Sequence, residues 1–350
     1  MRDERPPLLL QGSPEGYQRA CQALAAIPVD LELAAPDHWQ PPRLATTILR
    51  EAQVEGPATY HRGETRRLRL LPALAPDSLP GWHFWRQDLP EELPIPGTLA
   101  SVSQAQRAIV LRSGAAENAL RMSEHVICQK LGMGIDCLTV ELLSEDPPLF
   151  DQGSLPLVQA LEEAGLQEDP RRPLRYLAPR EPAALLHPQN GGFLLWAPPE
   201  DPEDHRLFLD VAVDFPTVIG KERLKLCLHP QAFRKGAAAR TNCSAREMRL
   251  AKMLSPFVSS WRNLGYTDRN ILLAGKKEYT NSPNPDLALP EGKSLEPVWH
   301  RTCLDLVAAL SLLPPLHRPA GRLTSFKAGH LLDVRFLKLL LRQGLLKELP

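Results

Sequence analysis

The sequence predicts an α+β fold made of two similar domains, and three observations support this. The chain has 350 residues, whereas a single domain typically holds roughly 100–200. Short apolar segments alternate with amphipathic segments in both halves, without the strict strand–helix alternation of parallel α/β folds. A proline-rich, charged stretch at 166–204 separates the two halves. We therefore expect each domain to consist of a β-sheet layered with helices.

Composition also sets the expected domain boundaries. Residues 1–45 are rich in proline and weakly periodic, so we expect an irregular N-terminal arm with one helix near Tyr17 to Ala26. Residues 46–184 form the predicted first domain, and residues 185–350 form the predicted second domain, which carries an insert. The change from one to the other falls near Gln167 to Ala184.

Charge and cysteine content argue against several classes of protein. The 41 Lys and Arg residues balance 41 Asp and Glu residues, and nucleic-acid binding needs clustered positive charge, so we expect no nucleic-acid partner. The six cysteines include no C-x-x-C pair. We therefore expect reduced thiols in a cytoplasmic protein rather than a cysteine metal cluster. No apolar run approaches the roughly 20 residues that cross a bilayer, and we expect no transmembrane segment and no secretory signal.

Hydrophobic periodicity places the main elements. The predicted strands are Ile48 to Val54, Arg66 to Leu71, Gly81 to Arg86, Leu138 to Leu142, Phe208 to Val213, Arg223 to Leu228 and Ile271 to Ala274. The predicted helices are Glu124 to Leu131, Leu155 to Ala164, Ala245 to Asn263, Val298 to Leu313 and Leu331 to Leu341. The spacing of the strands favours antiparallel pairing within each half.

The segment Ser123-Glu124-His125 stands at the predicted start of a helix. Ser123 is a good N-cap residue, so Glu124 and His125 fall in the first helical turn. The positive end of the helix dipole favours an ionised carboxylate there, which can act as a base, and the adjacent histidine can bind a metal. The alternative is a solvated helix start without chemistry.

His300 and Asp305 lie five residues apart in another predicted helix. In a regular α-helix that spacing turns the two side chains about 140° apart, whereas a four-residue spacing turns them only about 40° apart. A shared metal would therefore need an irregular helix, and a solvated polar helix start is the alternative interpretation.

Two further candidates stand before helices. His330 follows Lys327-Ala328-Gly329, which presents its imidazole at the start of a helix. Thr241 follows Ala239-Arg240 in a predicted loop, where its hydroxyl can bind an oxyanion or cap the next helix. A capped or core histidine is the alternative for His330.

These segments belong to an ordered set of short motifs from Thr46 to the C-terminus. The set comprises Thr47-Ile-Leu-Arg50, His61-Arg-Gly63, Leu68-Arg-Leu-Leu-Pro72, Ser123-Glu-His125, Leu131-Gly-Met-Gly-Ile-Asp136, Asp214-Phe-Pro216, Ala239-Arg-Thr241, Leu304-Asp-Leu306 and Ala328-Gly-His330. In this order the set resembles the zinc-dependent UDP-3-O-acyl-N-acetylglucosamine deacetylases (LpxC) of lipid A synthesis. The resemblance implies two α+β domains with the site in the cleft between them.

The resemblance also implies a zinc site and a set of catalytic roles. His125, His300 and Asp305 would bind Zn2+, which leaves a coordination position for water. Glu124 would be the general base, His330 the electrophilic or acid residue, and Thr241 an oxyanion donor. The implied substrate is an acylated UDP-amino sugar, from which a cytoplasmic, monomeric enzyme removes the N-acetyl group.

The sequence departs from the family pattern at two informative positions. The family's second histidine ligand stands four residues before the aspartate, where this chain has Arg301, and one inserted residue would bring His300 into that role. A helix can absorb one residue as a π-bulge, often at a functional site. The family's acidic residue four positions after the aspartate is replaced by Ala309. The alternative function is therefore a catalytically inactive LpxC-like scaffold that binds a ligand or a protein.

An acyl chain would need an apolar tunnel, which the family builds from an insert in its second domain. The candidate insert here lies within Asn270 to Pro297, and it is rich in Pro, Asn and Lys. That composition does not favour a long apolar tunnel.

Overall fold

A computed structural model describes residues 6–61, 63–75, 77–254 and 265–350. In these segments the fold is mixed α+β. The helices are α1 (Pro14–Ala25), α2 (Glu124–Gly132), α3 (Leu155–Ala164), α4 (Pro230–Ala237), α5 (Ala245–Leu254), α6 (Glu296–His300), α7 (Val307–Ser311) and α8 (His330–Arg342). A π-helical segment, Arg301–Leu306, joins α6 to α7, and short 3-10 turns occur at Leu99–Ser101 and Pro285–Leu287.

The strands are short, and most have two to eight residues. They are β1 (Leu8–Gln11), β2 (Leu31–Leu33), β3 (Leu44–Ile48), β4 (Ala52–Pro57), β5 (Thr65–Pro72), β6 (Trp82–Arg86), β7 (Ile95–Pro96), β8 (Val102–Gln104), β9 (Val110–Arg112), β10 (Ala119–Leu120), β11 (Leu138–Leu142), β12 (Leu166–Pro173), β13 (Arg175–Pro179), β14 (Ala183–Leu186), β15 (Phe193–Ala197), β16 (Leu207–Asp214), β17 (Lys221–Cys227), β18 (Thr241–Ser244), β19 (Ile271–Ala274), β20 (His317–Pro319), β21 (Gly321–Phe326) and β22 (Leu346–Glu348).

Two mixed sheets dominate the architecture. One has seven strands in the order β1-β14-β15-β21-β16-β17-β2, and the other has five in the order β4-β5-β11-β6-β7. Strand β11 runs antiparallel to β5 but parallel to β6, and β21 runs antiparallel to β15 but parallel to β16. The expectation of antiparallel pairing was therefore wrong for these central pairs, because long helical connections allow strands from distant segments to run side by side.

One hydrophobic core connects both sheets and the helices between them. Trp82 and Phe84 of β6, Trp196 of β15, Phe233 of α4 and Trp299 of α6 are each at most 1% exposed. Helix α2 packs against α7, and α4 packs against α6. This core draws on both predicted domains, so the boundaries 46–184 and 185–350 remain a prediction.

The N-terminal arm is more regular than predicted. Its helix α1 confirms the helix expected near Tyr17, but β1 pairs in parallel with β14, and β2 pairs in parallel with β17. The arm therefore supplies both edge strands of the seven-stranded sheet. Leu24 and Ile27 at the end of α1 join a second apolar cluster with Phe193 and Phe326 of that sheet. The arm strands β1 and β2 thereby pair with backbone groups of β14 and β17, which would otherwise be the exposed edge strands.

Two other elements differ from the prediction. The strand expected from Ile48 to Val54 is in fact two strands, β3 and β4, which pair with β12 and β5, respectively. Exposed Leu49, Arg50 and Glu51 make the turn between them, a break that apolar content does not reveal. The helix predicted from Ala245 to Asn263 is observed as α5 up to Leu254, and its remainder lies outside the described residues.

Strands β18 and β19 are parallel and, with α5 between them, form a strand–helix–strand unit. No helix in the described segments is long and apolar enough to cross a membrane. All six cysteines are free thiols, as the sequence predicts.

Glu222 is a buried carboxyl group that supports the start of α6. Its Oε2 accepts a hydrogen bond from the backbone N–H of Val298 at 3.0 Å, while Oε1 has no hydrogen-bond partner among the described residues. Burial raises the pKa of Glu222 to about 8. The carboxyl group is therefore protonated in the folded protein at neutral pH.

We predict that Glu222 makes stability fall as pH rises. Between its unfolded pKa and about 8, the folded state holds a proton that the unfolded state has released, so the free energy of unfolding decreases with pH. Glu222→Gln keeps an acceptor for Val298 but does not titrate. In urea unfolding from pH 5.5 to 8.5, the stability of wild type relative to the variant should fall by up to about 1.4 kcal/mol per pH unit. Exposed Glu32→Gln is the control for loss of a surface charge, and a pH-independent difference for Glu222→Gln would contradict the assignment.

Candidate active site

The first turn of α2 is buried rather than solvated. Glu124 is 2% exposed and His125 is 8% exposed, so the alternative of a solvated helix start is wrong. Glu124 Oε2 accepts a hydrogen bond from the backbone N–H of Ile109 at 2.9 Å. Ser123 occupies the N-cap position, but its Oγ donates to the carbonyl of Ile109 instead of accepting from a helix N–H, contrary to the predicted cap. The backbone at Ile109 thus fixes the start of α2 from outside the helix.

The π-helical segment brings His300 and Asp305 onto one face. Hydrogen bonds from residue i to i+5 widen the turn, so that residues five apart stand close together. Nδ1 of His300 lies 3.5 Å from Oδ1 of Asp305. The irregular helix that the inserted residue required is therefore present, and the solvated alternative is wrong here also, because His300 is only 5% exposed.

The five acidic and histidine residues predicted at the site come together from three segments. His330, at the start of α8, has its Nε2 3.5 Å from Oδ1 of Asp305 and 3.8 Å from Oε1 of Glu124. The rings of His125 and His300 have centroids 5.5 Å apart. Helix α2, the continuous stretch of α6 with the π-helical segment, and helix α8 thus each contribute one part of a single cluster that is mostly buried.

Several polar atoms of this cluster lack partners. In the described part of the chain, Nε2 of His300, Oδ1 of Asp305 and Nδ1 of His330 are buried and make no hydrogen bond. Buried polar atoms normally have partners, so unpartnered ones indicate a missing ligand or strain. Nδ1 of His300 and Nε2 of His330 each lie 3.5 Å from Oδ1 of Asp305. These distances allow electrostatic attraction, but neither nitrogen makes a hydrogen bond to this oxygen.

The donor set suits zinc, although no finished site is formed. Among the described residues, no group of three or more His, Cys, Asp or Glu side chains is already arranged to hold a metal ion. Two imidazoles and one carboxylate are nevertheless an ordinary set for catalytic zinc. Burial and the neighbouring His300 lower the pKa of His125 to about 3, which keeps its imidazole in the neutral form that binds metals. By donor chemistry and unpartnered atoms, His125, His300 and Asp305 fit the group.

Opposing effects set the charges within the cluster. Burial disfavours protonation of His330, but the carboxylates of Asp305 and Glu124 outweigh it and raise the pKa of His330. Burial disfavours ionisation of Asp305, but His330 and His300 outweigh it and lower the pKa of Asp305. Burial raises the pKa of Glu124, and His330 opposes that shift only in part. These directions favour a protonated His330 beside an ionised Asp305.

Comparison with known proteins agrees with this arrangement. The family model described as LpxC, UDP-3-O-acyl N-acetylglycosamine deacetylase, matches residues 45–342, which is most of the chain. The chain belongs to the LpxC family. Its match begins where the N-terminal arm ends, so the arm lies outside the shared part.

Individual relatives in the LpxC family are moderately similar to this chain. A UDP-3-O-acyl-N-acetylglucosamine deacetylase from Solibacter usitatus is 28% identical over 294 residues, covering 82% of this chain and 88% of the relative. One from Nostoc is 28% identical over 288 residues, covering 82% and 95%. One from Anaeromyxobacter is 30% identical over 278 residues, covering 78% and 81%.

One side of the His330 imidazole has no hydrogen-bond partner among the described residues, and Ala309 is unable to provide one. Ala309 is fully buried, and Nδ1 of His330 has no hydrogen-bond partner among the described residues. A methyl group at this position cannot accept a hydrogen bond from an imidazole. His330 is therefore oriented from its Nε2 side, by Asp305 and Glu124, and by the helix that carries it.

Thr241 is the predicted residue that is not joined to the cluster. It begins strand β18 instead of lying in a loop, and the described residues give it no hydrogen bond to the histidines or carboxylates. The preceding residue is firmly held, because Arg240 Nε lies 2.7 Å from Glu296 Oε1 and the Arg240 backbone N–H donates to the same oxygen. This ion pair connects β18 to the start of α6, which ends at His300.

Sequence reasoning missed a second buried ion pair, which links two parts of the site. Arg301 donates two hydrogen bonds, 2.8 and 2.6 Å long, to the carboxylate oxygens of Asp333, and one to Oγ of Ser325. Arg301 directly follows His300, and Asp333 lies one helical turn after His330. The sequence does show opposite charges near the two candidate histidines, Arg301 beside His300 and Asp333 near His330. That these two charges form a pair depends on the tertiary fold.

Further side chains around Glu124 were also missed. Met122, just before the motif, has a φ of 53°, in the left-handed region that a methionine rarely adopts. The Tyr266 hydroxyl lies 3.7 Å from Sδ of Met122. The guanidinium of Arg121 stacks 3.8 Å from the ring centroid of Tyr60. Backbone strain of this kind is common beside functional sites, and it has no signature in the sequence.

We predict that Asp333→Ala destabilises the fold strongly. Arg301 is 5% exposed and Asp333 is 1% exposed, so the variant leaves a buried guanidinium without its carboxylate. The free energy of unfolding should fall by about 3–5 kcal/mol in chemical denaturation. The matched control is Glu55→Ala, which breaks an exposed pair with Arg67 and should cost at most about 1 kcal/mol. Equal losses for the two variants would show that the buried pair has no special role.

Proposed function

We propose that this protein is a zinc-dependent deacetylase that removes the N-acetyl group from an acylated UDP-glucosamine in lipid A biosynthesis. The observation that carries the proposal is the clustering of buried Glu124, His125 and His300 with partly buried Asp305 and His330, which come from three separate segments. Membership of the LpxC family and the names of its relatives support the substrate class. A cytoplasmic location and a monomeric state are part of the same proposal.

His125, His300 and Asp305 would hold the metal. The two imidazoles come from different helices, and the carboxylate comes from the π-helical segment. Zinc bound there would polarise the amide carbonyl and lower the pKa of a water molecule toward about 7. The unpartnered Nε2 of His300 and Oδ1 of Asp305 are the atoms that most need such a partner.

Glu124 would act as the general base in this proposal. Its Oε2 is fixed by the backbone N–H of Ile109, which leaves Oε1 directed toward His330 at 3.8 Å. A carboxylate held by one oxygen keeps the other available for a proton from water. Burial excludes bulk solvent, so the transferred proton stays within the site.

His330 would donate a proton to the leaving amine. Its Nε2 faces two carboxylates, which favour a hydrogen on that nitrogen. The pair Arg301–Asp333 acts only as a positioning device, since it connects the segment of Asp305 to the helix of His330. Thr241 would act as an oxyanion donor if substrate draws strand β18 toward the cluster.

An inactive scaffold is the second candidate function. Two observations favour it: Nδ1 of His330 has no hydrogen-bond partner among the described residues, and these residues hold no finished metal site. An imidazole without its orienting partner loses part of its catalytic effect. In this case the buried cluster would be a retained framework for ligand or protein binding.

Zinc content distinguishes these two functions. We predict about one zinc per purified wild-type chain, since three side chains of suitable ligand type lie in one cluster. Loss of metal is expected in His300→Ala, because two remaining ligands bind weakly. His38→Ala, which removes an exposed histidine, is the matched control and should keep the metal. Wild-type protein without zinc, even after incubation with excess metal and dialysis, would exclude the hydrolase.

The role of Glu124 predicts a different pattern. Glu124→Gln should retain zinc but lower kcat for deacetylation by about 10²- to 10⁴-fold, the usual contribution of a general base. Acetate release from an acylated UDP-N-acetylglucosamine measures the rate, and metal analysis of the same sample checks the site. If the variant hydrolysed substrate at the wild-type rate, Glu124 would not be the base.

A further inference from the structure

A cavity of about 230 Å³ lies between the end of α2 that is remote from Glu124 and the start of α4. Helix α2 has Glu124 at its start, and Leu131 near its end lines the cavity. Helix α4 begins beside His229, which also lines the cavity, and leads at its other end toward Thr241. Seven residues of helix separate Glu124 from Leu131, a rise of about 10 Å, so the cavity is separate from the cluster.

The N-terminal arm builds part of this cavity. Trp39, Gln40, Pro41 and Pro42 contribute to its wall. These residues precede residue 45, where the match to the LpxC family begins. The cavity therefore contains a wall that the shared family fold does not supply.

The lining is apolar and aromatic. The ring of Trp39 lies 5.9 Å from the ring of His229 at an angle of 50°, and the rings of Tyr176 and His205 stack at 4.4 Å and 7°. Leucine, methionine and proline side chains supply the rest of the surface, among them Leu207 and Leu228. Flat rings and aliphatic walls favour a planar, apolar ligand.

The cavity has no unbalanced charge for an ionic ligand. Arg318 is its charged lining residue, and its guanidinium binds the Asp136 carboxylate through two hydrogen bonds, 2.9 and 2.8 Å long. The Nε2 of His205 lies 2.9 Å from the carbonyl of Pro350. A neutral ligand therefore fits better than an anion or a cation.

One lining group is available for a directional hydrogen bond. Nδ1 of His229 lies 2.8 Å from the side-chain amide oxygen Oε1 of Gln231, which accepts a hydrogen bond from it. In the tautomer with its hydrogen on Nδ1, Nε2 is an acceptor, and the described residues give it no hydrogen bond. A ligand N–H is the complementary group.

We propose that this cavity binds a neutral, planar, bicyclic aromatic compound with a ring N–H, of the size of indole. A cavity of about 150 Å³ holds one benzene ring, and the larger volume here suits two fused rings. The ligand would pack between the arm and the helical ends, with its N–H directed at Nε2 of His229. This site is independent of the proposed deacetylase activity.

Indole itself is the probe for the first test, by isothermal calorimetry on the full chain. We expect saturable 1:1 binding with a dissociation constant on the order of 0.1–1 mM, as for other ligands with few heavy atoms. Trp39→Ala should weaken it at least about tenfold, because one aromatic wall is removed. Trp85→Ala, which truncates an exposed tryptophan on β6, is the matched control and should bind like wild type.

Two further measurements make the test decisive. Benzofuran has the same shape but no N–H, and should bind about 3- to 10-fold more weakly, the value of one neutral hydrogen bond. If Trp39→Ala does not fold, Leu166→Trp at a half-exposed lining position should block the cavity and abolish binding. No saturable indole binding by wild type, or binding unchanged in the folded cavity variants, would overturn the proposal. Equal affinity for benzofuran would overturn the assignment of His229.

Discussion

The buried ion pair between Arg301 and Asp333 determines how the two halves of the candidate site meet. Arg301 stands next to His300 in the π-helical segment, and Asp333 lies one turn beyond His330 on α8. A bidentate guanidinium–carboxylate pair fixes both distance and orientation. Because both groups are buried, neither can separate from the other without leaving an unpaired charge inside the protein. The position of His330 relative to Asp305 therefore depends on the Arg301–Asp333 ion pair, to which neither of these two residues belongs.

The π-helical segment brings together His300 and Asp305, whose spacing in the sequence does not suit a regular α-helix. A spacing of five residues would place His300 and Asp305 on different sides of an α-helix. The wider turn restores a common face, with Nδ1 and Oδ1 3.5 Å apart. Such a segment is held in place by its surroundings: Thr302 donates its hydroxyl to the carbonyl of Val298, and Cys303 and Leu304 are fully buried. The core thus stabilises a local geometry that the helix alone would not choose.

The sequence predicts the site better than it predicts the arm, and the reason is physical. Glu124, His125 and His330 stand beside helix starts that local pattern reveals, and the irregular helix at Arg301–Leu306 follows from counting residues. In contrast, β1 and β2 have only four and three residues, too few for a pattern of alternation. Their pairing with β14 and β17 joins residues about 175 and 193 positions apart in the chain, which local sequence does not encode.

The unpartnered Nδ1 of His330 limits what can hold this imidazole in place. With no acceptor at Nδ1 among the described residues, the imidazole depends on two carboxylates at Nε2, and both belong to the chemistry proposed for the site. The groups that orient the proposed acid would then also be the proposed base and a proposed metal ligand, so each change of charge at Glu124 or Asp305 acts on His330 directly. An independent partner at Nδ1 would separate orientation from catalysis. Among the described residues, the contact of Asp333 on α8 with Arg301 in the π-helical segment is the remaining constraint on His330 that takes no part in the proposed chemistry. The position of α8 is therefore more important for His330 than the identity of any single neighbour of its imidazole.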